Sequence, residues 1–155
     1  MSSRSGLKVW MLSSAVAFAA LWPCLASATL GEPASSVQTD SERLQGSIKD
    51  SDRGSYRVQE IKLPSGTLVR EYSGSNGQVF AVAWNGPFIP DMRQTLGSYF
   101  NSYATAAKAK HADHHHLQIE LENLVVQANG HMRAWMGRAY LPQAIPAGVS
   151  IGDLQ

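Results

Sequence analysis

The sequence predicts an α+β fold, an antiparallel sheet of about five strands with one or two helices packed on it. Three observations lead there. Segments rich in β-branched and aromatic residues follow one another with short glycine-containing turns between them, the pattern of antiparallel hairpins. One stretch, Met92 to Ala107, carries its apolar residues at helical spacing. Setting aside residues 1–28 from the 155 leaves 127, the size of one domain with one core.

Those first 28 residues read as a signal peptide. Arg4 and Lys8 precede an apolar run from Val9 to Leu21 that is too short to span a bilayer, and Ala26-Ser27-Ala28 supplies the small residues a signal peptidase requires. Cleavage after Ala28 leaves residues 29–155 as a single domain, periplasmic or secreted, with no transmembrane segment. The only cysteine, Cys24, leaves with the leader, so the mature chain has no thiol and no disulfide. Losing Arg4 and Lys8 takes Lys+Arg from 13 to 11 against 12 Asp+Glu, turning a net charge of +1 into −1. A near-neutral domain without a cationic cluster argues against nucleic acid or an anionic membrane surface as partner. The expected partner is a protein or small molecule of the periplasm.

Thr29 to Gly46, with Ser35 and Gln38 placed as a capping box, predicts a short first helix. Ser47 to Ser55 is a polar connection. Tyr56 to Leu63 is rich in strand formers, Pro64-Ser65-Gly66 makes a turn, and Thr67 to Tyr72 returns antiparallel. A three-residue loop places Glu60 opposite Arg70 and Val58 opposite Tyr72. After a second turn at Gly74-Ser75-Asn76-Gly77, the nearly continuous apolar run Gln78 to Trp84 predicts a central strand covered on both faces. Asp91 then stands where a helix N-cap belongs, and Met92, Leu96, Tyr99, Tyr103 and Ala107 form one stripe. Gly97 inside that helix implies close packing against the sheet. Leu117, Ile119 and Leu121 alternate with polar residues, but the phase flips at Leu124 and Val126, which predicts a bulge near Asn123. Asn129-Gly130 is the expected hairpin turn, setting Val126 opposite Arg133 and Leu124 opposite Trp135. Val149 to Ile151 is at most a short edge strand. Both faces of the second hairpin are partly apolar, so the first helix, the C-terminal segment or a second subunit must cover one of them.

Three segments resemble a known family. They are Leu63 to Tyr72 (LPSGTLVREY), Val79 to Gln94 (VFAVAWNGPFIPDMRQ) and Leu124 to Pro142 (LVVQANGHMRAWMGRAYLP), with Thr29-Leu30-Gly31 at the start of the mature chain. The chain resembles the bacterial family called domain of unknown function 2844, small exported proteins, over essentially its whole mature length. The resemblance implies no activity and carries over no catalytic residue.

Chemistry-bearing residues form three groups. His111, Asp113, His114 and His116, with His115 among them, are good ligands for zinc, copper or nickel crowded into a short loop, and make a divalent transition metal the one cofactor to consider. Trp84, Phe88 and their neighbours, bracketed by Pro87 and Pro90, form a stiff apolar connection suited either to a binding surface or to plugging the core. His131, Arg133 and Arg138, beside Trp135 and with Tyr140, form a polar patch suited to a carboxylate or a sugar. Against these stand the missing catalytic patterns: no thiol, no Gly-x-Ser-x-Gly, no His-Glu-x-x-His, no phosphate loop. The expectation is a non-enzymatic interaction or accessory module, with a metal-binding protein using the His111–His116 loop as the alternative.

Overall fold

The computed structural model describes residues 29–34, 48–109 and 116–155. The predicted signal peptide and its cleavage site, residues 35–46 of the predicted first helix, and His111, Asp113, His114 and His115 lie outside the described residues; residues 29–34, where that helix is predicted to start, form turns and an isolated bridge between Pro33 and Gln78 instead.

Among the described residues, seven strands form one antiparallel sheet in the order β1-β2-β3-β4-β7-β6-β5. They are β1 (Ile48–Asp52), β2 (Tyr56–Lys62), β3 (Leu68–Gly74), β4 (Val79–Gly86), β5 (His116–Leu121), β6 (Leu124–His131) and β7 (Ala134–Tyr140). The sheet and its helical cover agree with the predicted architecture; the strand count of about five does not. One added strand is β1, which reads as a polar loop because its charged sequence, IKDSD, belongs to an edge with no core to face. The other comes from β5 and β6. The phase flip at Asn123 is not a bulge but a two-residue turn, Glu122-Asn123, with Leu121 paired to Leu124. No glycine and no positive φ mark that turn.

The β2–β3 hairpin has the predicted register, Val58 opposite Tyr72 and Glu60 opposite Arg70, and the Glu60–Arg70 ion pair closes at 3.5 Å. The last hairpin does not. Its turn is Met132-Arg133 rather than Asn129-Gly130, so Val126 faces Ala139 and Trp135 faces Gly130. Gly130 serves the strand: a Cβ there would lie 2.8 Å from the Trp135 Cα and 2.9 Å from its ring. Arg133 takes the turn's left-handed conformation instead, at φ 65, the only non-glycine residue to do so among those described. Arg133→Gly is therefore expected to stabilise the fold by up to about 1 kcal/mol, read as a higher urea midpoint at unchanged slope.

Side-chain alternation gives the sheet two faces, and both are covered. On the first, Val69, Val82, Trp84, Ile119, Val126 and Ala139 meet Leu30 and the helical segment. That segment runs as α1 (Met92–Leu96), a 3-10 turn (Gly97–Tyr99) and α2 (Phe100–Ala109). Its predicted stripe, Met92, Leu96, Tyr99, Tyr103 and Ala107, packs on this core, and Asp91 caps α1 by accepting from the amides of Arg93 and Gln94. Gly97 is not a sheet contact. It adopts φ 50, interrupts the helix, and approaches Thr29 so closely that a Cβ would stand 2.5 Å from that side chain.

On the second face, Val58, Tyr72, Phe80, Ala83, Val125 and Tyr140 are covered by the chain after β7, with Ile145, Val149 and Leu154 packed inward. Of the three candidate covers, the C-terminal segment takes this role. Val149 to Ile151 forms no strand; a 3-10 turn at Ile151–Asp153, boxed by Ser150 and Asp153, follows it. A register shift between Tyr72 and Ser73 sends Val79 to the first core and Phe80 to the second. No helix among the described residues is long and apolar enough to cross a membrane.

Candidate functional site

The residues singled out in the sequence divide between the two faces. Trp84 and Trp135 lie on the helical face: Trp84 pairs with Gly137 and is buried, and Trp135, half-buried, pairs with Gly86 and Gly130. Arg138 and Tyr140, at the other parity of β7, lie on the opposite face, in line with His131 on β6. The grouping of Arg138 beside Trp135 is therefore not brought together. Arg133 sits at the hairpin tip and His131 is exposed next to it.

The stiff connection after β4 does both things expected of it. Trp84 and Pro90 are buried, while Phe88 is 58 % exposed and Ile89 points out as well. Thr67 locks the loop, donating its hydroxyl to the Phe88 carbonyl at 2.7 Å and accepting from the Phe88 amide at 3.3 Å. The β6–β7 tip, with Met132 85 % exposed, rises at the same end of the sheet.

Of the histidine cluster, His116 alone is described. It opens β5, opposite Asn129, and its Nδ1 contacts the Asn129 side-chain oxygen. Among the described residues no group of three His, Cys, Asp or Glu is placed to hold a metal ion.

A recess that contains predicted residues opens on the second face. It measures about 390 Å³ and is lined by Arg70, Asn85, Gln127, Asn129, Met136 and Arg138, together with Gln155 and the buried Leu154 and Trp84. Register explains it. Arg70, Ala83 and Arg138 stand in one row across β3, β4 and β7, and Gln127 continues the row on β6. Ala83 has too small a side chain to fill the space between the two guanidiniums.

Both arginines also hold the C-terminal segment. Arg70 donates from Nη1 to the Gln155 main-chain oxygen at 2.7 Å, and Arg138 donates from Nη1 to the Ile151 carbonyl at 2.7 Å. The Tyr72 hydroxyl adds a bond to the same Gln155 oxygen at 2.9 Å. Electrostatically the two differ. Arg70 has Glu60 beside it; Arg138 has only neutral acceptors, Gln127 Oε1 at 2.9 Å and main-chain oxygens, and no carboxylate among the described residues. A half-buried guanidinium without a counter-ion attracts an anion, and its planar fork suits a carboxylate or phosphate. Arg70, Asn85, Gln127, Asn129 and Met136 were not marked by the sequence reading. Only correct register, not residue type, places them together.

The family described as Protein of unknown function (DUF2844) matches residues 26–154. The chain belongs to that family. No curated protein and no solved structure matches it. In this DUF2844 chain the match takes in all seven strands, the helical cover and nearly all of the C-terminal segment, so the recess lies wholly inside the shared domain except for Gln155.

Proposed function

We propose that this DUF2844 protein is an exported, non-enzymatic binding module that takes a small anionic ligand, a carboxylate or a phosphate, in the recess between Arg70 and Arg138. The observation that carries this reading is the Arg138 guanidinium, half-buried and balanced by neutral oxygens only. Asn85 and Asn129 add amide groups around it, and Met136 gives the recess an apolar wall. Export rests on the leader in residues 1–28, which falls almost entirely outside the family match. The non-enzymatic reading rests on the missing catalytic patterns in the sequence.

Isothermal titration of the mature protein with succinate and with inorganic phosphate separates the two anions. Saturable binding of either is expected, weakened about tenfold or more in Arg138→Gln, which keeps a polar N–H donor but removes the charge and the planar fork. Binding of neither anion, or equal binding by the variant, overturns the proposal. Circular dichroism of the variant checks that the C-terminal segment's anchor has not taken the fold with it.

A further inference from the structure

A second groove, of about 420 Å³, lies away from the arginine recess, where β2 and β3 run toward Tyr56 and Gly74. Its lining includes Arg57, Gln59, Ser73, Asn76, Pro33 and Ala34. The floor is unusual. Gln59 is 4 % exposed and its Oε1 has no hydrogen-bond partner among the described residues. Its neighbour across the strands is Glu71, 1 % exposed, with neither carboxylate oxygen bonded to any of the described residues. Ser73, the groove's other floor residue, is two positions from Glu71 on the same face of β3.

Three buried acceptor atoms on two facing residues therefore have no donor among the described residues. Buried polar atoms are nearly always satisfied, because leaving one unpaired costs about 1–3 kcal/mol. A ligand that satisfies these atoms brings N–H or O–H groups. Charge points the same way: Arg57 already lies 3.9 Å from each of Asp50 and Asp52, so it does not neutralise Glu71. Burial raises the Glu71 carboxyl to about 7, the response of an acid with no cation beside it.

We infer that this groove binds a small organic cation, an amine or guanidinium, whose head group donates to Gln59 Oε1 and is held by the Glu71 carboxylate behind it. The groove is too large for a bare ion, and Ser73 and Asn76 supply polar contacts for the rest of such a molecule.

The test is isothermal titration of the mature protein at about pH 8, where Glu71 is mostly ionised, with agmatine and putrescine as probes and calcium chloride alongside. Saturable binding of at least one amine is expected, about tenfold or more weaker in Glu71→Gln and in Gln59→Met. Glu71→Gln removes a buried charge and so folds at least as well as the parent, which keeps a negative result interpretable. Absence of amine binding, binding unchanged in both variants, or saturation by calcium alone overturns the inference.

Discussion

Glu71→Gln is expected to raise the free energy of unfolding by about 3 kcal/mol at about pH 8 and by almost nothing at about pH 4. The carboxyl lies inside the sheet's helical face with Val69 and Ser73 along its strand and Gln59 and Val82 across from it, and none of them pairs with it. Desolvation alone moves its pKa from 4.5 to about 7. Below 4.5 the group is protonated in folded and unfolded chains alike and carries no penalty. As pH rises from there the unfolded chain releases its proton while the folded chain keeps it, so stability falls, and the loss is complete above about 7. Glutamine imitates the protonated form throughout, so the difference between parent and variant isolates this one group from every other titration. Urea denaturation of both proteins at the two pH values measures it. A difference that is the same at both would mean that the carboxyl is solvated or paired in solution.

That carboxyl also shows what the sequence could and could not disclose. Tyr56 to Tyr72 was legible down to register because Pro64-Ser65-Gly66 fixes a turn length, and turn length fixes which residues face each other. From the same register Glu71 shares a face with Val69, so a charged residue on the buried side was available to parity reasoning before any coordinates. The second hairpin failed for the complementary reason. A phase flip of apolar residues is produced equally by a bulge and by a two-residue turn, and Glu122-Asn123 carries none of the glycine chemistry that would separate them. A turn at Asn129-Gly130 would shift β6 against β7, whereas the separation of Arg138 from Trp135 needs no register at all: three residues apart on one strand, they lie on opposite faces. The arginine recess was illegible because its row, Arg70-Ala83-Arg138-Gln127, draws on four strands and depends on the order in which they assemble. The C-terminal cover was invisible in another way: Ile145, Val149 and Leu154 are spaced too irregularly to signal an element, yet they close the second core.

Gly137→Ala is expected to destabilise the fold by about 3 kcal/mol or more, a large share of the roughly 5–15 kcal/mol that holds a single domain together. The glycine is in the strand, not in a turn, and its lack of a side chain is filled by its neighbour. A Cβ at Gly137 would stand 2.4 Å from Trp84 Cζ2 and 2.7 Å from the Gln127 carbonyl oxygen, one a buried ring and the other backbone. Neither can yield cheaply, because the ring is enclosed by the first core and the carbonyl belongs to β6. Trp135 over Gly130 repeats the arrangement one row along, so the two tryptophans of the described chain each lie on a glycine of the neighbouring strand. Gly152→Ala is the matching control, since its Cβ would meet only Ser150 Oγ at an ordinary 3.5 Å, and it should shift stability by no more than about 0.5 kcal/mol. The decisive comparison adds Trp84→Phe, which trims the ring atoms that collide and also removes an indole N–H that has no partner among the described residues. Alone, Trp84→Phe leaves a cavity over Gly137; together, the alanine methyl occupies part of that cavity, so the double variant should lose clearly less than the sum of the two single losses. Additive losses in urea denaturation would place the cost in the Gln127 backbone contact and remove the ring from the explanation.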